Sequence, residues 1–436
     1  EETGRAELVG AGVLGRYAGL AAALIVAVGA NIALVIALAG VLIVNGLSVS
    51  ASLVAGASIG LVGIVFAGVA SVTAQLSSTT RGASGLAAAA LGVAFLVGGV
   101  GNMLGNSDAS GLRVDPGWAT WLSPIGWGQL MRPFAGNHLL PLLVAAAVFT
   151  LLVGVAVVLV NHRDVGAGIL AERRGNAEAS KGLLSPLGLV WRMQRGAILG
   201  WAIGMAGFGA VFGAMAKNVT TAGRDSADWY MRVGGSHQIL DAYRTSIIEM
   251  AGAAVAVFTV QMLLRMHADE RDGQLEPILA TAVSRPRWMA SHLINASVGA
   301  VALLVLFAAT MAVTIGADLG DTGGQLRALL QAAAVQLPAV MVVAGVVVAA
   351  TALLPRWATV ISWAYVGVAI VAGPIFGAAT LQLPRWAQDI SPFTLVPKLP
   401  GAGFDAQAII ALSAVAVALL TAGAIVFRRR NLVLPV

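Results

Sequence analysis

Long apolar stretches alternate with short polar connections along almost the whole chain. Ten of these stretches reach the roughly 20 residues that a helix needs to cross the hydrocarbon core of a bilayer. The pattern therefore predicts an all-α polytopic membrane protein with ten spans. Their approximate limits are 18–44, 50–74, 85–103, 139–160, 197–216, 245–264, 289–315, 329–353, 358–380 and 407–427.

Composition supports a membrane location. Of the 436 residues, 58% are hydrophobic and only 11% are charged, which leaves too little polar surface to cover a soluble protein of this length. The 53 glycines, together with abundant alanine and valine, suit helices that pack closely through small faces in lipid. No cysteine is present, so a disulfide framework and a thiolate metal site are both excluded.

Basic residues indicate the orientation of the spans. When alternate loops are assigned to opposite sides, 17 of the 26 Lys and Arg residues fall on the side that holds residues 1–17. The positive-inside rule makes that side cytoplasmic, and the C-terminus with Arg428, Arg429 and Arg430 lies on the same side. The high isoelectric point is thus a topology signal, and we expect no nucleic-acid partner.

The chain carries an internal repeat. Three landmarks of the first half recur in the second half in the same order, displaced by 267 to 269 residues. Because six spans separate the two copies of the first landmark, both repeats have the same orientation in the membrane. The matched pairs are Glu1 with Glu270, Gly4 with Gly273, Glu7 with Glu276, Ala11 with Ala280, Arg16 with Arg285, Trp118 with Trp386, Ser123 with Ser391, Pro124 with Pro392 and Arg163 with Arg430.

The repeat predicts two domains, residues 1–182 and residues 183–436, as parallel tandem copies of one six-helix transmembrane unit. The second copy has six spans, whereas the first has four and lacks counterparts of 197–216 and 245–264. We therefore expect a comparable stretch with two spans to precede residue 1 in the natural protein.

The first landmark is a short segment between two spans, at 268–288 in the second copy and at 1–17 in the first. Its apolar residues recur at helical spacing, which predicts a short amphipathic helix along the membrane face. Asp272 is a suitable N-cap, and Arg285 is expected to close the helix. Pro277 favours a start at Glu276, which would place the proline in the first helical position. The apolar residues of the second copy are Leu275, Ile278, Leu279, Ala282 and Val283.

The residues shared by the two copies spell E-x-x-G-x-x-E-x-x-x-A-x-x-x-x-R. This segment, placed after the second span of a six-span half, resembles the coupling region of ABC-2 type exporter permeases. The fused pair of halves is similar to the actinobacterial antibiotic or multidrug exporters of that family. The resemblance implies that both segments bind in grooves of a separate ATPase, through Glu1, Gly4, Glu7 and Arg16 and through Glu270, Gly273, Glu276 and Arg285. A solvated juxtamembrane helix without a partner is the alternative.

The chain has no nucleotide-binding motif of its own. A P-loop needs G-x-x-x-x-G-K-[ST], and none of the lysines, Lys181, Lys217 and Lys398, follows a glycine. We therefore expect no enzyme activity and no cofactor in this chain. The resemblance implies two copies of a partner ABC ATPase that hold ATP and magnesium. Histidine, aspartate and glutamate form no grouping with metal-ligand spacing, so we expect no metal site.

Polar side chains within spans are candidates for the substrate path, because burying them in lipid is costly. Glu249 lies about a turn inside its predicted span and can attract a cationic or amphiphilic substrate. The alternative is that Glu249 reaches the outer interface or pairs with a nearby arginine. Asn31 and Asn295 either line a cavity or hydrogen-bond between helices.

Two outer segments, 104–138 and 381–406, each combine tryptophan with a Ser-Pro pair before the last span of their half. A loop on the membrane surface, with its tryptophans in an interfacial belt, is one interpretation. The family resemblance implies the other, short re-entrant helices that form an outer gate. Its residues would be Trp118, Ser123 and Pro124 in the first copy and Trp386, Ser391 and Pro392 in the second.

These observations lead to one preferred function and two alternatives. We expect the membrane subunit of an ATP-driven ABC exporter in a bacterial plasma membrane, where it contacts lipids and moves hydrophobic or amphiphilic small molecules outward. An ion-coupled secondary transporter with parallel repeats would place acids near the bilayer midplane, whereas the predicted spans contain Glu249 alone, near an end. A non-transporting membrane scaffold would not need the duplicated cytoplasmic helices.

Overall fold

The computed structural model describes residues 12, 15–107, 114–164, 168–169, 178–219, 231, 238–401 and 403–430. The chain divides into two compact units, residues 1–176 and residues 177–436. Within the described ranges, ten helices are long and apolar enough to cross a membrane, which confirms the ten predicted spans of an all-α membrane protein. The β structure in those ranges is one antiparallel pairing of two-residue strands, β1 (Asn106–Ser107) and β2 (Val114–Asp115).

In its described residues, the first unit contains four spans and one short helix. Their bounds are α1 Ala18–Val44, α2 Val49–Leu76, α3 Thr80–Met103, α4 Pro124–Leu130 and α5 Leu140–Asn161. A 3-10 turn at Trp118–Leu122 precedes α4. The central helix is α2, which packs against α1, α3, α4 and α5.

Glycines bring α1 and α2 together. A Cβ atom built on Gly56 would lie 2.5 Å from the carbonyl oxygen of Val35, and one built on Gly60 would lie 2.3 Å from the Val35 side chain. Both distances are shorter than a van der Waals contact, so a larger residue at either position would push the helices apart. This contact is the close packing of small helix faces that the composition predicts.

The described part of the second unit contains six spans, one of which is built from two consecutive helices. The bounds of its helices are α6 Pro186–Val219, α7 Ile239–Arg271, α8 Leu275–Leu279, α9 Arg285–Leu319, α10 Thr322–Ala334, α11 Leu337–Leu353, α12 Ala358–Ala372, α13 Arg385–Gln388 and α14 Ala406–Arg429. The split span is α10 with α11. A π-helical turn at Pro374–Thr380 and a 3-10 turn at Pro392–Leu395 lie between α12 and α14.

The core of the second unit surrounds α7. This helix packs against α6, α9, α11 and α12, while α14 packs mainly against α11. Phe258 of α7 is fully buried and lies against Gly299 of α9, where a built Cβ atom would come within 2.6 Å of the ring. The two elements that bracket the candidate coupling segment, α7 and α9, are therefore firmly packed core helices.

The ends of α7 differ from the predicted limits. The apolar pattern places this span at 245–264, but α7 continues through charged residues to Arg271. Arg265 Nε lies 2.8 Å from Asp269 Oδ1, an ion pair one helical turn apart that supports the helix beyond the apolar run. Met266, between these two residues, is buried in the core. Hydropathy alone could not find this extension because it is stabilised by side-chain pairing and packing.

Candidate functional site

The segment predicted to couple with an ATPase begins with a tight turn after α7. The amide of Asp272 donates to the carbonyl oxygen of Ala268 at 2.9 Å, and the amide of Gly273 donates to that of Glu270 at 3.2 Å. Gly273 has a φ of +72°, the left-handed conformation that glycine adopts without strain. Gly273 is therefore required for the turn that ends α7. Asp272 caps the end of α7, so its prediction as the N-cap of the following helix is wrong.

The predicted amphipathic helix is shorter than the sequence suggests. Its helical part, α8, has five residues and starts at Leu275 after Gln274, so Pro277 is its third residue and not its first. A proline is acceptable there because the first-turn amides have no partner within the helix. Leu275 is fully buried, while Ala282 is exposed and does not belong to the buried stripe. The other predicted apolar residues, Ile278, Leu279 and Val283, are partly buried against the core of the unit.

The opposite side of this segment is polar and accessible. Glu276 and Pro277 are exposed, and so are Arg271 and Asp272 in the preceding turn. The segment therefore has an apolar side anchored in the core and a charged side that faces away from the core. A partner protein would meet the charged side, of which Glu276 is part.

Glu270 and Arg285, two other predicted coupling residues, are directed toward the core. Glu270 is 4% exposed and forms an ion pair with Arg430, in which Arg430 Nη1 donates to Glu270 Oε1 at 2.7 Å and Nη2 contacts Oε2. Arg285 does not close the short helix, because it is the first residue of α9. Its Nη1 donates to the carbonyl oxygen of Arg430 at 2.6 Å. Both side chains were predicted to contact the ATPase, and both instead bond within the chain to Arg430, at the end of the last span.

Only part of the corresponding segment in the first unit can be placed. Glu1, Gly4 and Glu7 lie outside the described residues, and Arg16 lies within them. Arg16 Nη2 donates to the carbonyl oxygens of Val160 at 2.8 Å and Arg163 at 2.9 Å. The arginine before the first span of this unit therefore also bonds to the end of the unit's last span.

A buried polar cluster lies near the start of α6, the end of α7 and the start of α9, close to the coupling segment. Gln194 Nε2 donates to the carbonyl oxygen of Met262 at 3.0 Å and lies 3.4 Å from His292 Nδ1. His292 Nε2 is 3.8 Å from Asp269 Oδ2, and the rings of Trp288 and His292 meet edge to face at 4.6 Å. The sequence marks His292 as a polar residue within a span, but it does not show this grouping, since the members are distant in the chain. The sequence signal that could have indicated the cluster is the one-turn spacing of Arg265 with Asp269 and of Trp288 with His292.

Glu249 lies deeper than the sequence predicts. Because α7 begins at Ile239, Glu249 is about 15 Å along the helix and not one turn from its end. The side chain is buried, and within the described part of the chain neither carboxylate oxygen has a hydrogen-bond partner. Arg244, the nearby arginine, pairs with Asp241 at 2.8 Å. Neither snorkelling to the interface nor pairing with this arginine is therefore observed.

The two candidate asparagines hydrogen-bond to helix carbonyls. Asn31 Nδ2 donates to the carbonyl oxygen of Ala27 at 2.8 Å, and its side chain covers Gly63 of α2. Asn295 is buried, and its Nδ2 lies 3.4 Å from the carbonyl oxygen of Leu187. The Asn295 contact joins α9 to α6, whereas the Asn31 hydrogen bond lies within α1.

The predicted outer gate segments have one contact in common. Ser123 Oγ donates to the carbonyl oxygen of Ala94 at 2.6 Å, and Ser391 Oγ donates to that of Ala369, also at 2.6 Å. Both serines are fully buried and cap the next short helix, which begins with Pro124 in the first unit and Pro392 in the second. Short helices therefore follow both Ser-Pro pairs.

The tryptophans of these segments are directed outward. Trp118 and Trp386 are each 72% exposed. In the first unit Trp127 is buried, and its Nε1 donates to the carbonyl oxygen of Trp121 at 2.6 Å. Exposed tryptophans beside the buried serines Ser123 and Ser391 agree with both sequence-based interpretations, an interfacial belt and a gate.

The fold and the exposed coupling segment together define the class of protein. Ten apolar helices in two units, with an exposed charged loop between two core helices, are typical of a multi-pass membrane transport subunit. The family model described as the C-terminal domain of the multidrug efflux system permease Rv1217c matches residues 183–428. The chain is also 36% identical, over 434 residues, to the multidrug efflux system permease protein Rv1217c of Mycobacterium tuberculosis, covering 99% of this chain and 77% of that protein.

The chain belongs to this family of multidrug efflux system permeases. The prediction that it is the membrane permease of an exporter is confirmed, and the family is consistent with the resemblance to ABC-2 type permeases. Its multi-pass membrane character is confirmed as well.

Proposed function

We propose that this chain is the membrane subunit of an ATP-driven exporter. Two copies of a separate ABC ATPase drive it, one at segment 1–17 and one at segment 268–288. The ATPase copies hold ATP and magnesium, because the chain has no G-x-x-x-x-G-K-[ST] sequence of its own. The efflux-system name of the relative supports a role as one component among several.

The observation that carries this proposal is the two-sided coupling segment. A segment that transmits motion must present polar groups to its partner and also be fixed to the helices that move. Glu276 is exposed on one side, while Leu275 is fully buried on the other, in the segment that connects core helices α7 and α9. A partner that displaces this segment would therefore displace both helices.

The substrates we propose are hydrophobic or amphiphilic small molecules. The relative is named for multidrug efflux, and the carboxylate of Glu249, buried and without a hydrogen-bond partner among the described residues, would attract a cationic drug. Outward movement follows from the efflux function of the family. Asn31 and Asn295 contribute to helix packing, because their side chains already contact helix carbonyls.

The location that we propose is a bacterial plasma membrane with the C-terminus in the cytoplasm. Lys and Arg residues are concentrated in the loops on the same side as Arg428, Arg429 and Arg430. The ATPase would bind on that side, where ATP is available.

The test is to express the chain with an ABC ATPase encoded next to it, purify the complex and reconstitute it in liposomes. We expect copurification, stimulation of ATP hydrolysis by the permease, and ATP-dependent drug transport. Glu276→Arg should weaken all three, whereas Glu178→Arg, which reverses an exposed acid outside the segment, should not. Drug transport by the chain alone, without ATP or an ATPase, would contradict the proposal.

One observation favours a second candidate, an ion-coupled transporter. Glu249 is the type of buried acid that carries protons or binds cations in such proteins, and it is well inside α7. The liposome assay separates the two functions when a proton or sodium gradient is imposed without ATP. Transport driven by the gradient and abolished by Glu249→Gln would favour the second candidate. Transport that requires ATP and the ATPase favours the first.

A further inference from the structure

We infer that Arg430 is a positioning residue that fixes both ends of the coupling loop, residues 272–284, to the end of the last span. Arg430 forms a loop-end cluster with Glu270, just before the loop, and Arg285, just after it. The inference rests on the proposed function for the role of the loop. Its geometry is independent of that function.

The geometry of Arg430 sets it apart from its neighbours in the Arg428-Arg429-Arg430 run. Arg428 and Arg429 are exposed, as expected of residues that anchor a span end, whereas the Arg430 side chain is only 11% exposed. Its guanidinium forms a two-point ion pair with Glu270 and lies 4.9 Å from the ring centre of the buried Phe427. Three residues of one basic run thus have two different roles.

The backbone of Arg430 makes the second connection. Its carbonyl oxygen accepts a hydrogen bond from Arg285 Nη1 at 2.6 Å, while its amide bonds to the carbonyl oxygen of Val426 within α14. The side chain therefore secures the end of α7 and the backbone secures the start of α9. Bidentate arginine-carboxylate pairs are stronger and more directional than single hydrogen bonds.

The first unit repeats the backbone half of this arrangement. Arg16, which the sequence repeat matches to Arg285, donates to the carbonyl oxygen of Arg163, which the repeat matches to Arg430. The side chain of Arg163 donates to Gln75 Oε1 at 2.6 Å, at the end of α2. The recurrence of this hydrogen bond in a second unit is an independent sign that it serves the shared function.

This arrangement extends the path by which motion spreads from the loop. Without it, displacement of the loop would reach α14 mainly through the packing of α7 and α9 against other helices. With it, α14 moves with the loop, and α14 packs against α11 on another side of the core. Glu270 and Arg285, whose side chains are engaged within the chain, thus transmit motion, and contact with the ATPase falls to the exposed side that includes Glu276.

The first test uses the full chain with its ATPase in liposomes. In Arg430→Gln we expect copurification and ATP hydrolysis to be retained, but drug transported per ATP to fall at least about fivefold. Arg429→Gln, which removes the same charge from an exposed neighbour, should behave as wild type. The exchange Glu270→Arg with Arg430→Glu should recover part of the loss. Wild-type transport in Arg430→Gln, or a loss of copurification equal to that of Glu276→Arg, would overturn the inference.

A second test needs no ATPase and uses the absence of cysteine from the chain. Spin labels at Ala280→Cys and Arg428→Cys report the distance between the loop and the end of α14. We expect a narrow distance distribution that broadens in Arg430→Gln, broadens less in Arg430→Lys, and does not change in Arg429→Gln. An unchanged distribution in a monodisperse Arg430→Gln protein would overturn the inference. If the distribution broadens but no ATPase binds, the proposed function fails and the positioning role stands.

Discussion

Two glutamates at the start of the same motif have opposite environments in this molecule. Glu270 is buried and paired with Arg430, whereas Glu276, six residues later, is exposed on the far side of α8. The turn at Gly273, with its positive φ, separates them and reverses the direction in which the chain presents its side chains. In the second unit the E-x-x-G-x-x-E segment therefore combines an internal contact with an external surface, and its two acids should respond differently to the same substitution.

The largest expected effect is on stability at Glu270. Glu270→Gln leaves the Arg430 guanidinium largely buried beside a neutral amide, and breaking a buried ion pair from one side costs about 3 kcal/mol. Glu276→Gln, at an exposed position, should be nearly neutral. Thermal unfolding of both variants in the same detergent checks this contrast. Equal losses of stability in the two variants would contradict the assignment of inner and outer roles.

The next effect is on coupling, and it concerns Glu276. Glu276→Arg should leave folding intact, because the side chain is exposed, and should depress ATPase stimulation and transport. Charge pairs at a partly desolvated interface contribute on the order of 1 to 3 kcal/mol, which corresponds to roughly 5- to 150-fold. Glu7→Arg should give a defect of different size, since Leu8 stands where the second copy has Pro277.

The measurement for these charge reversals is copurification with the ATPase and transport-stimulated ATP hydrolysis in matched liposomes. The double variant Glu7→Arg with Glu276→Arg should be the most impaired. Wild-type activity in that double variant would remove both carboxylates from coupling and would leave the exposed side of the segment without its proposed role.

The smallest expected effect is a loss of stability at two serines that make equivalent hydrogen bonds in the two units. Ser123 and Ser391 are both fully buried, and each donates to a carbonyl of the preceding span at 2.6 Å. Ser123→Ala and Ser391→Ala should each lower stability by about 1 kcal/mol, the usual contribution of one hydrogen bond. Thermal unfolding against Ser48→Ala, at an exposed position, measures it. A large loss in one serine variant alone would show that these two corners are not equivalent.

The sequence predicts the spans well because span length and apolar content are local properties. The ten predicted stretches correspond to ten spans in the described part of the chain, and errors occur at ends such as that of α7, where the Arg265 and Asp269 pair extends the helix past the apolar run. The amphipathic character of the coupling segment, with Leu275 on its apolar side, can also be predicted from the local sequence.

Which side chains of the motif face the core and which face outward could not be predicted from local sequence. Whether Glu270 or Glu276 is buried depends on where the end of the last span lies, and Arg430 is 160 residues away from Glu270 in the chain. The burial of Glu249 depends similarly on the helices packed around α7. These are long-range packing outcomes, which a hydropathy pattern and a short motif do not contain.

The most direct test of the account is site-specific cross-linking to the ATPase, which the cysteine-free sequence permits without background. Ala280→Cys places a thiol on the exposed side of the coupling segment, one turn after Glu276, and leaves that carboxylate in place. Ser48→Cys places an equally exposed thiol in the connection between α1 and α2, on the predicted outer side. With a short cross-linker that carries one maleimide for the introduced thiol and one photoreactive group that inserts into nearby C–H bonds of the ATPase, we expect a covalent adduct from position 280 and none from position 48. No adduct from position 280 in a complex that hydrolyses ATP and transports drug, or equal adducts from both positions, would contradict the account.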